Sequence, residues 1–224
     1  MAIGFRSAAD DAVDVRQQIE ALGRKACTVQ GHVGSKEDCE RMHDELVRAL
    51  GGPVDILVNS AGIHRNNLFL TMEDHEWQEV LETNLMGTVH PTRAVGRSMW
   101  ARRSGRIINL SSVAAHAGGR GQANYAASKG AIESLTQNLS VEFAPRNVTV
   151  NCISPGAIDT TMWVGTDTGA VIGRQLVKRL GRPDEIAAWV VMLASEHGAF
   201  VTGQVISVDG GWMRGWEVGR KGAT

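Results

Sequence analysis

The sequence predicts an α/β fold in which one parallel sheet is covered by helices on both faces, a doubly wound arrangement. Short apolar runs alternate with longer helical patterns along the chain, without internal repeats. Two of these runs lead into Asn59-Ser60-Ala61-Gly62 and Ser154-Pro155-Gly156, which is typical of parallel strands that end at ligand-binding loops. The length of 224 residues suits one buried domain and is short for two, so we expect residues 1–224 to form a single domain.

Composition argues against several classes of protein. A formal net charge of −1 gives no basic field for nucleic acid and no polybasic face for a membrane. The longest apolar run, at 187–194, is far shorter than the roughly 18 residues of a spanning helix. The three cysteines have no paired spacing, and the seven histidines form no metal-binding motif. We therefore expect a cytoplasmic protein with no metal site and no nucleic-acid or membrane partner.

The order of elements follows from hydrophobic periodicity and from residues that start or stop helices. The predicted strands lie at 2–5, 25–30, 54–59, 107–110, 148–153 and 204–208. The predicted helices lie at 10–22, 36–50, 71–102, 123–139 and 183–195. In the first helix, which Gly23 ends, Val13, Ile19 and Leu22 are expected to face inward.

The strongest chemical signal lies in one strand–loop–helix stretch. The apolar run at 107–110 predicts a buried strand, and Ser111 and Ser112 follow where it ends. Tyr125 and Lys129 are four residues apart on the next predicted helix, so they share a face. An ammonium that lowers the phenol pKa from about 10 by about three units contributes roughly 4 kcal/mol to tyrosinate stability. A bare Tyr-x-x-x-Lys pair is usually an ordinary surface pair, but the preceding serines favour proton transfer to or from a substrate oxygen.

The segment Gly-Gln-Ala-Asn-Tyr-Ala-Ala-Ser-Lys at 121–129 resembles the core of the short-chain dehydrogenase/reductase family, and most closely its 3-oxoacyl-(acyl carrier protein) reductase branch. The resemblance extends from Ala2 to about Trp212. In this family the active-site Tyr follows the active-site Ser by thirteen residues, a spacing that favours Ser112 over Ser111 as the partner of Tyr125. The resemblance implies a Rossmann-like fold and an NAD(P)(H)-dependent oxidoreductase that interconverts a carbonyl and a secondary alcohol.

The same resemblance implies a role for each active-site residue. Tyr125 is the expected proton donor or acceptor, Lys129 is expected to hold the tyrosinate and the cofactor ribose, and Ser112 is expected to polarise the carbonyl. Asn84, in the motif Thr-Asn-Leu, corresponds to a fourth residue that positions a water, although a mid-helix Asn is more often exposed or a local cap.

Further positions are implied to contact the cofactor or the substrate. The implied cofactor contacts, besides Tyr125 and Lys129, are Arg6, Ser7, Val33, Asn59, Ala61, Gly62, Pro155, Gly156, Ile158 and Thr160. The implied substrate contacts are Ala114, Gln122, Met162 and Trp163. The Gly-rich stretch 161–177 is expected to be a lid over the substrate, with a plain flexible loop as the alternative. A place in the hydrophobic core explains Trp163 equally well.

The choice of nucleotide depends on the end of the first strand. Arg6 and Ser7 resemble a basic position that meets the 2′-phosphate of NADP, and no acidic residue ends this strand to bind a ribose hydroxyl. NADP(H) is therefore favoured over NAD(H), with a solvated loop arginine as the alternative. His32 stands where relatives commonly have Asp against the adenine, which leaves Val33 to line that pocket.

One expected part of a dinucleotide site is not found in the sequence. Such a site needs a first strand, a Gly-rich turn and a helix whose N-terminus receives the pyrophosphate, and no such turn precedes Asn59. We expect a Rossmann-like sheet lacking its first β-α unit, which would be its central strand, and an upstream-truncated reading frame is the hypothesis for the cause. The first 50 residues then pack differently or stay loose, or the strand at 2–5 pairs directly with the strand at 54–59.

The expected function is that of a 3-oxoacyl-thioester reductase, an activity of fatty acid biosynthesis, acting on a small carbonyl or alcohol substrate such as an acyl thioester. One alternative is a sugar or polyol dehydrogenase of the same family, with the same chemistry and another lid. A second alternative is a non-catalytic truncated remnant that acts only through oligomerisation. Relatives associate through their two long central helices and last strand, so a homodimer or homotetramer is expected.

Overall fold

The computed structural model describes residues 1–160 and 168–214, in which strands and helices alternate as predicted. The strands are β1 (Ala2–Phe5), β2 (Cys27–Gln30), β3 (Ile56–Asn59), β4 (Gly105–Leu110), β5 (Val148–Pro155) and β6 (Val205–Val208). The helices are α1 (Ala9–Ala21), α2 (Lys36–Leu50), α3 (Asp74–Val80), α4 (Gly87–Arg102), α5 (Ala123–Phe143), α6 (Gly169–Arg174) and α7 (Pro183–Ala194). The predicted α/β class is confirmed.

Side chains at the helix ends explain several of the observed boundaries. Ser35 caps α2 by accepting a hydrogen bond from the Asp38 N–H at 3.1 Å, and Gly51 ends that helix with a positive φ of 77°. The long helix predicted from residue 71 starts at Asp74 instead, because Glu76 accepts from the backbone N–H of Glu73 at 2.8 Å. A π-helical turn, Leu81–Met86, separates α3 from α4.

The parallel strands form two hydrogen-bonded groups. One group is β1–β2, and the other is β3–β4–β5–β6, in that order. Within the described residues β1 and β3 are not paired, so the possibility that the strand at 2–5 pairs directly with the strand at 54–59 is wrong. The first 50 residues nevertheless form regular elements, and α2 packs on β1, β2 and α4.

The hydrophobic core lies on both faces of β4 and β5. On one face, Val95 and Met99 of α4 pack against Ile107, Val148 and Val150. The opposite face is covered by α7, whose buried side chains complete a second cluster. That cluster contains Ile108, Ile153 and Leu193, with Ile186 and Val190 packed against it. A sheet covered by helices on both faces is what a parallel sheet requires.

One strip of β3 is not covered by a helix. Val58 pairs with Ile108 and shares its sheet face, the face that α7 covers on β4 and β5. On β3, however, Ile56 is 47% exposed and Val58 is 40% exposed. Within residues 1–160 and 168–214, this strip lies at the β3 edge that has no strand partner, so the sheet and the helix layer are both open at the same place.

Helix α1 departs from its predicted orientation. Val13 and Leu22, which were expected to face inward, are exposed, and Ala12 is buried instead. The periodicity identified a helix but not its buried side, because α1 packs on β1 and β2 through a small residue, Ala12. Among the described residues no helix is long and apolar enough to cross a membrane.

Candidate active site

Ser112, Tyr125 and Lys129 meet at the carboxyl end of β4. Ser112 lies two residues beyond the strand and opens a 3₁₀ turn, where its Oγ accepts from the Ala114 N–H at 3.2 Å. The Tyr125 side chain forms a hydrogen bond with Ser112. Lys129 is almost fully buried, with its Nζ 5.6 Å from the centre of the Tyr125 ring, and it donates to the Leu110 carbonyl at 2.9 Å. The structure thus brings together the three side chains that sequence spacing selected.

The pKa values of this trio are governed by burial. Burial raises the pKa of the Tyr125 phenol, and the hydrogen bond with Ser112 offsets only part of this rise. Burial also lowers the pKa of Lys129 to about 8, a shift that the nearby Cys152 partly opposes. The expectation that Lys129 lowers the phenol pKa is therefore wrong for this arrangement. Near neutral pH the phenol keeps its proton and Lys129 is mostly charged, which is the state that donates a proton to a substrate oxygen.

Asn84 lies in the π-helical turn and is fully buried. Its Oδ1 accepts from the Ile63 N–H at 2.8 Å, and its Nδ2 donates to the Ile63 carbonyl at 3.0 Å and to Ser128 Oγ at 3.0 Å. Asn84 therefore joins the loop after β3 to helix α5. A Cβ added to Gly62 would lie 3.4 Å from Lys129 Nζ and 3.5 Å from Asn84 Oδ1, so Gly62 places backbone directly against both polar groups. π-helical turns are often found at functional sites.

Two residues that sequence reasoning missed hold the first turn of α5. Asn124 is fully buried, donates to the carbonyls of Arg65 and Glu76 at 3.1 and 3.2 Å, and accepts from the Tyr125 N–H at 2.7 Å. Ser128, also fully buried, donates to the Tyr125 carbonyl at 2.7 Å. These bonds fix the helix end that carries Tyr125. In the sequence they are visible only as polar residues directly before Tyr125 and Lys129. Propensity alone places such polar residues on the surface.

Asn59 forms buried hydrogen bonds within and beside the sheet. Its Nδ2 donates to Asn109 Oδ1 at 2.8 Å and to Thr92 Oγ1 at 3.1 Å, and Asn109 in turn donates to Thr136 Oγ1 at 2.9 Å. This buried chain of bonds links β3 and β4 to α4 and α5, so Asn59 stabilises the sheet. Ala61 and Gly62 follow in an exposed loop.

The nucleotide side of the site contains a cavity of about 420 Å³ at the carboxyl ends of β1 and β2. It is lined by Arg6, Gln30, Gly31, His32, Asp38, Arg41 and Glu45. Arg41, which the sequence did not single out, is paired with Asp38 at 2.8 Å and with Glu45 at 3.0 Å. Ser7 precedes α1 as an exposed residue, and Val33 packs on Gly87. Neither Ser7 nor Val33 lines this cavity.

The loop after β5 supplies the other predicted cofactor contacts. Pro155 ends β5, and the Gly156 N–H donates to the Val208 carbonyl at 3.0 Å. A Cβ on Gly156 would lie 2.7 Å from the Asp209 Cα, so this crossing requires glycine. Ile158 forms a bridge with Gly181 and lines a cavity of about 170 Å³ between this loop and α7. Thr160 is exposed at the end of the described segment.

The predicted substrate contacts divide into described and undescribed residues. Ala114 lies in the 3₁₀ turn after Ser112, and Gln122 precedes α5 with its side chain against Gly119. Met162 and Trp163, with the front of the predicted lid, lie outside the described residues. The described part of that lid contains the short helix α6.

Several features of the described residues are suited to binding a dinucleotide. Arg6 contributes positive charge to the cavity at β1 and β2, and Gly62 brings backbone against Lys129. At the carboxyl end of β5, the Ser154 Oγ is buried without a hydrogen-bond partner, as expected for a group that meets a ligand. Among the described residues, no group of three or more His, Cys, Asp or Glu side chains forms a metal site.

The fold and this site define an oxidoreductase with a Rossmann-like sheet. A family model described as Enoyl-(Acyl carrier protein) reductase matches residues 2–213. The chain is 37% identical over 214 residues to a 3-oxoacyl-(acyl carrier protein) reductase of Staphylococcus epidermidis, covering 94% of this chain and 87% of the relative. It is 45% identical over 170 residues to the corresponding reductase of Escherichia coli, covering 75% of this chain and 70% of the relative.

Solved structures agree with this assignment. A gluconate 5-dehydrogenase from Burkholderia cenocepacia, in complex with NADP and tartrate, is 30% identical with a TM-score of 0.87, over 95% of this chain and 84% of that one. The chain belongs to the short-chain dehydrogenase/reductase family.

Proposed function

We propose that this chain reduces the 3-oxo group of an acyl thioester to a secondary alcohol, with NADPH as the reductant. The observation that carries the proposal is the Ser112–Tyr125 hydrogen bond beside the buried Lys129, in which the phenol keeps its proton. Two relatives named 3-oxoacyl-(acyl carrier protein) reductases, from Staphylococcus epidermidis and Escherichia coli, support the choice of substrate.

The residues act on the substrate oxygen in a defined order. A nicotinamide bound at this site would supply the hydride for the carbonyl carbon. The Ser112 hydroxyl donates a hydrogen bond to the carbonyl oxygen, and Tyr125 transfers its proton to that oxygen as negative charge develops there. Lys129 holds a positive charge near the resulting tyrosinate, and Asn84 keeps the loop at Ile63 in place and positions a water near Lys129.

NADP(H) is proposed over NAD(H) because of the charges around the cavity at β1 and β2. Among the described residues that line this cavity, Arg41 is already balanced by Asp38 and Glu45, which leaves Arg6 as a cation that can meet a 2′-phosphate. Ser7 and Val33 remain proposed contacts at the edge of this site.

The first candidate experiment compares substrates directly. Oxidation of NADPH is followed with a 3-oxoacyl thioester and, separately, with a keto-sugar acid. Faster turnover of the thioester supports the proposal. Preference for the sugar acid favours a sugar or polyol dehydrogenase, a second candidate that the similarity to the gluconate 5-dehydrogenase supports.

A non-catalytic role is the third candidate, favoured by the division of the strands into two groups. No strand of the described residues joins the β1–β2 group to the β3–β6 group. Between β1 and β3 the described residues also supply no Gly-rich turn at a helix N-terminus to hold a pyrophosphate. Titration with NADPH, followed by nucleotide fluorescence, separates the candidates. Binding tighter than millimolar supports an enzyme, and no binding supports a non-catalytic module.

We propose self-association through α4, α5 and β6. Trp100 and Val141 are exposed large apolar residues on these two helices, and their burial against a second copy would remove apolar surface from water. Sedimentation analysis is expected to give a homodimer or homotetramer, and Val141→Glu is expected to shift it toward the monomer.

A further inference from the structure

Three residues on one face of α5 each contact the segment that contains the end of β4 and the following turn, Leu110 to His116. Tyr125, Lys129 and Glu133 are spaced by four, so they line up along the helix. Tyr125 contacts Ser112, and Lys129 contacts the Leu110 carbonyl. The proposed reaction uses the first two of these residues and leaves Glu133 without a role.

Glu133 is a buried carboxylate with two side-chain partners. The Ser111 hydroxyl donates to Glu133 Oε1 at 2.7 Å, and His116 Nε2 lies 2.7 Å from Oε2. The Glu133 side chain is only 8% exposed, whereas that of His116 is 41% exposed. A carboxylate so far from water needs these bonds, since burying an unpaired charge is costly.

The two partners lie on either side of Ser112. Ser111 precedes it directly, and the Ser111 N–H is fixed to β5 by a hydrogen bond to the Ile153 carbonyl at 2.8 Å. His116 closes the 3₁₀ turn through its N–H, which donates to the Val113 carbonyl at 3.0 Å. One carboxylate thus holds both ends of the short segment that carries the Ser112 hydroxyl.

We propose that Glu133 is a positioning residue that clamps this segment through Ser111 and His116 and so keeps the Ser112 hydroxyl aimed at Tyr125. Glu133 contacts neither the reacting atoms nor the phenol, and it acts through Ser112 alone. The catalytic importance of this clamp rests on the proposed reductase function. The effect of Glu133 on the contact between Ser112 and Tyr125 can nevertheless be measured without turnover.

The chain offers a direct test because Tyr125 is its single tyrosine. The absorbance of tyrosinate therefore titrates this phenol alone, in the full chain and without nucleotide. Ser112→Ala should raise the phenol pKa, because the hydrogen bond that lowers it is lost. Glu133→Ala should raise it too, and the double variant should show no more than the shift of Ser112→Ala. Glu142→Ala, an exposed glutamate on the same helix, is the matched control and should show no shift.

The sign of the shift separates positioning from simple electrostatics. Loss of a nearby negative charge lowers a phenol pKa, whereas loss of the Ser112 contact raises it. Glu133→Gln keeps an oxygen for Ser111 and gains an amide donor for His116, so it keeps the clamp while losing the charge, and its phenol pKa should not rise above that of the parent chain. A fall in pKa for Glu133→Ala, or equal additive shifts in the double variant, would overturn the proposal. If Glu133→Ala does not fold, His116→Ala releases one end only, and the absence of any upward shift there counts against the clamp.

Kinetics provide the second measurement. With NADPH and a 3-oxoacyl thioester, Glu133→Ala should lower kcat on the order of tenfold or more, because a small misplacement of a catalytic group is costly, and leave the KM for NADPH nearly unchanged. Glu133→Gln should recover most of the rate. An equal effect of Glu133→Ala and Glu142→Ala on kcat would refute the role. If the parent chain shows no turnover, the proposed function fails, while the tyrosine titration still decides whether the clamp exists.

Discussion

Replacement of Asn84 by alanine tests how the site is held together. Its side chain makes three hydrogen bonds, of 2.8, 3.0 and 3.0 Å, to the backbone of Ile63 and to Ser128. Each such bond contributes about 1 kcal/mol net, and a buried group left without a partner costs about 1–3 kcal/mol. Because Ile63 is only partly buried, water can replace some of the lost contacts. We expect Asn84→Ala to lower the free energy of unfolding by about 2–3 kcal/mol.

Urea denaturation followed by far-ultraviolet circular dichroism measures this change, with two-state behaviour checked by a second probe. Asn138→Ala is the matched control, since Asn138 is an exposed asparagine on α5 with one bond to the Ser134 carbonyl at 2.9 Å. The control should lose less than about 0.5 kcal/mol. A loss at Asn84 no larger than that at Asn138 would refute the reasoning that this residue joins the loop after β3 to α5.

Two further predictions concern charged residues of the site. The pKa of Lys129 is lowered from 10.5 to about 8, so between these values the unfolded chain binds more protons and stability should rise with pH. In Lys129→Met the part of this rise in unfolding free energy that is due to Lys129, up to about 3 kcal/mol, should be absent. Urea unfolding at several pH values across this interval measures the difference. Parallel curves of unfolding free energy against pH for the two chains would contradict the assigned burial of Lys129. Arg6→Ala should weaken NADPH binding on the order of tenfold while leaving NADH binding nearly unchanged, since a charged hydrogen bond contributes about 1.5–3 kcal/mol. Fluorescence titration of both nucleotides measures this, Arg24→Ala is the control, and equal losses for the two nucleotides would show that Arg6 does not meet a 2′-phosphate.

The proposed catalytic trio was predictable because its geometry is local. A serine just past a β-branched run and a Tyr–Lys pair one helical turn apart are defined by strand and helix periodicity. The observed helix α5 and strand β4 then bring Ser112, Tyr125 and Lys129 together, as expected.

The supporting residues were not predictable because their partners are distant in sequence. Asn124 contacts carbonyls that precede it by 59 and 48 residues, and Glu133 meets Ser111 across 22 residues.

The direction of the Tyr125 pKa shift was also missed, since burial depends on the packed structure and not on the Tyr–Lys spacing. The sequence left open whether the strand at 2–5 pairs with the strand at 54–59. Instead of pairing, β1 and β3 stay in separate groups, and the strip at Ile56 and Val58 remains exposed.

The central claim is that Tyr125 donates the proton in a hydride-transfer reaction. It is tested most directly by comparing the parent chain with Tyr125→Phe in NADPH oxidation by a 3-oxoacyl thioester, with NADPH affinity measured on both. The account predicts a loss of turnover of at least about a hundredfold, the usual contribution of a general acid, with NADPH affinity within about twofold. Turnover that survives the substitution, or turnover and NADPH affinity that fall together, would contradict it.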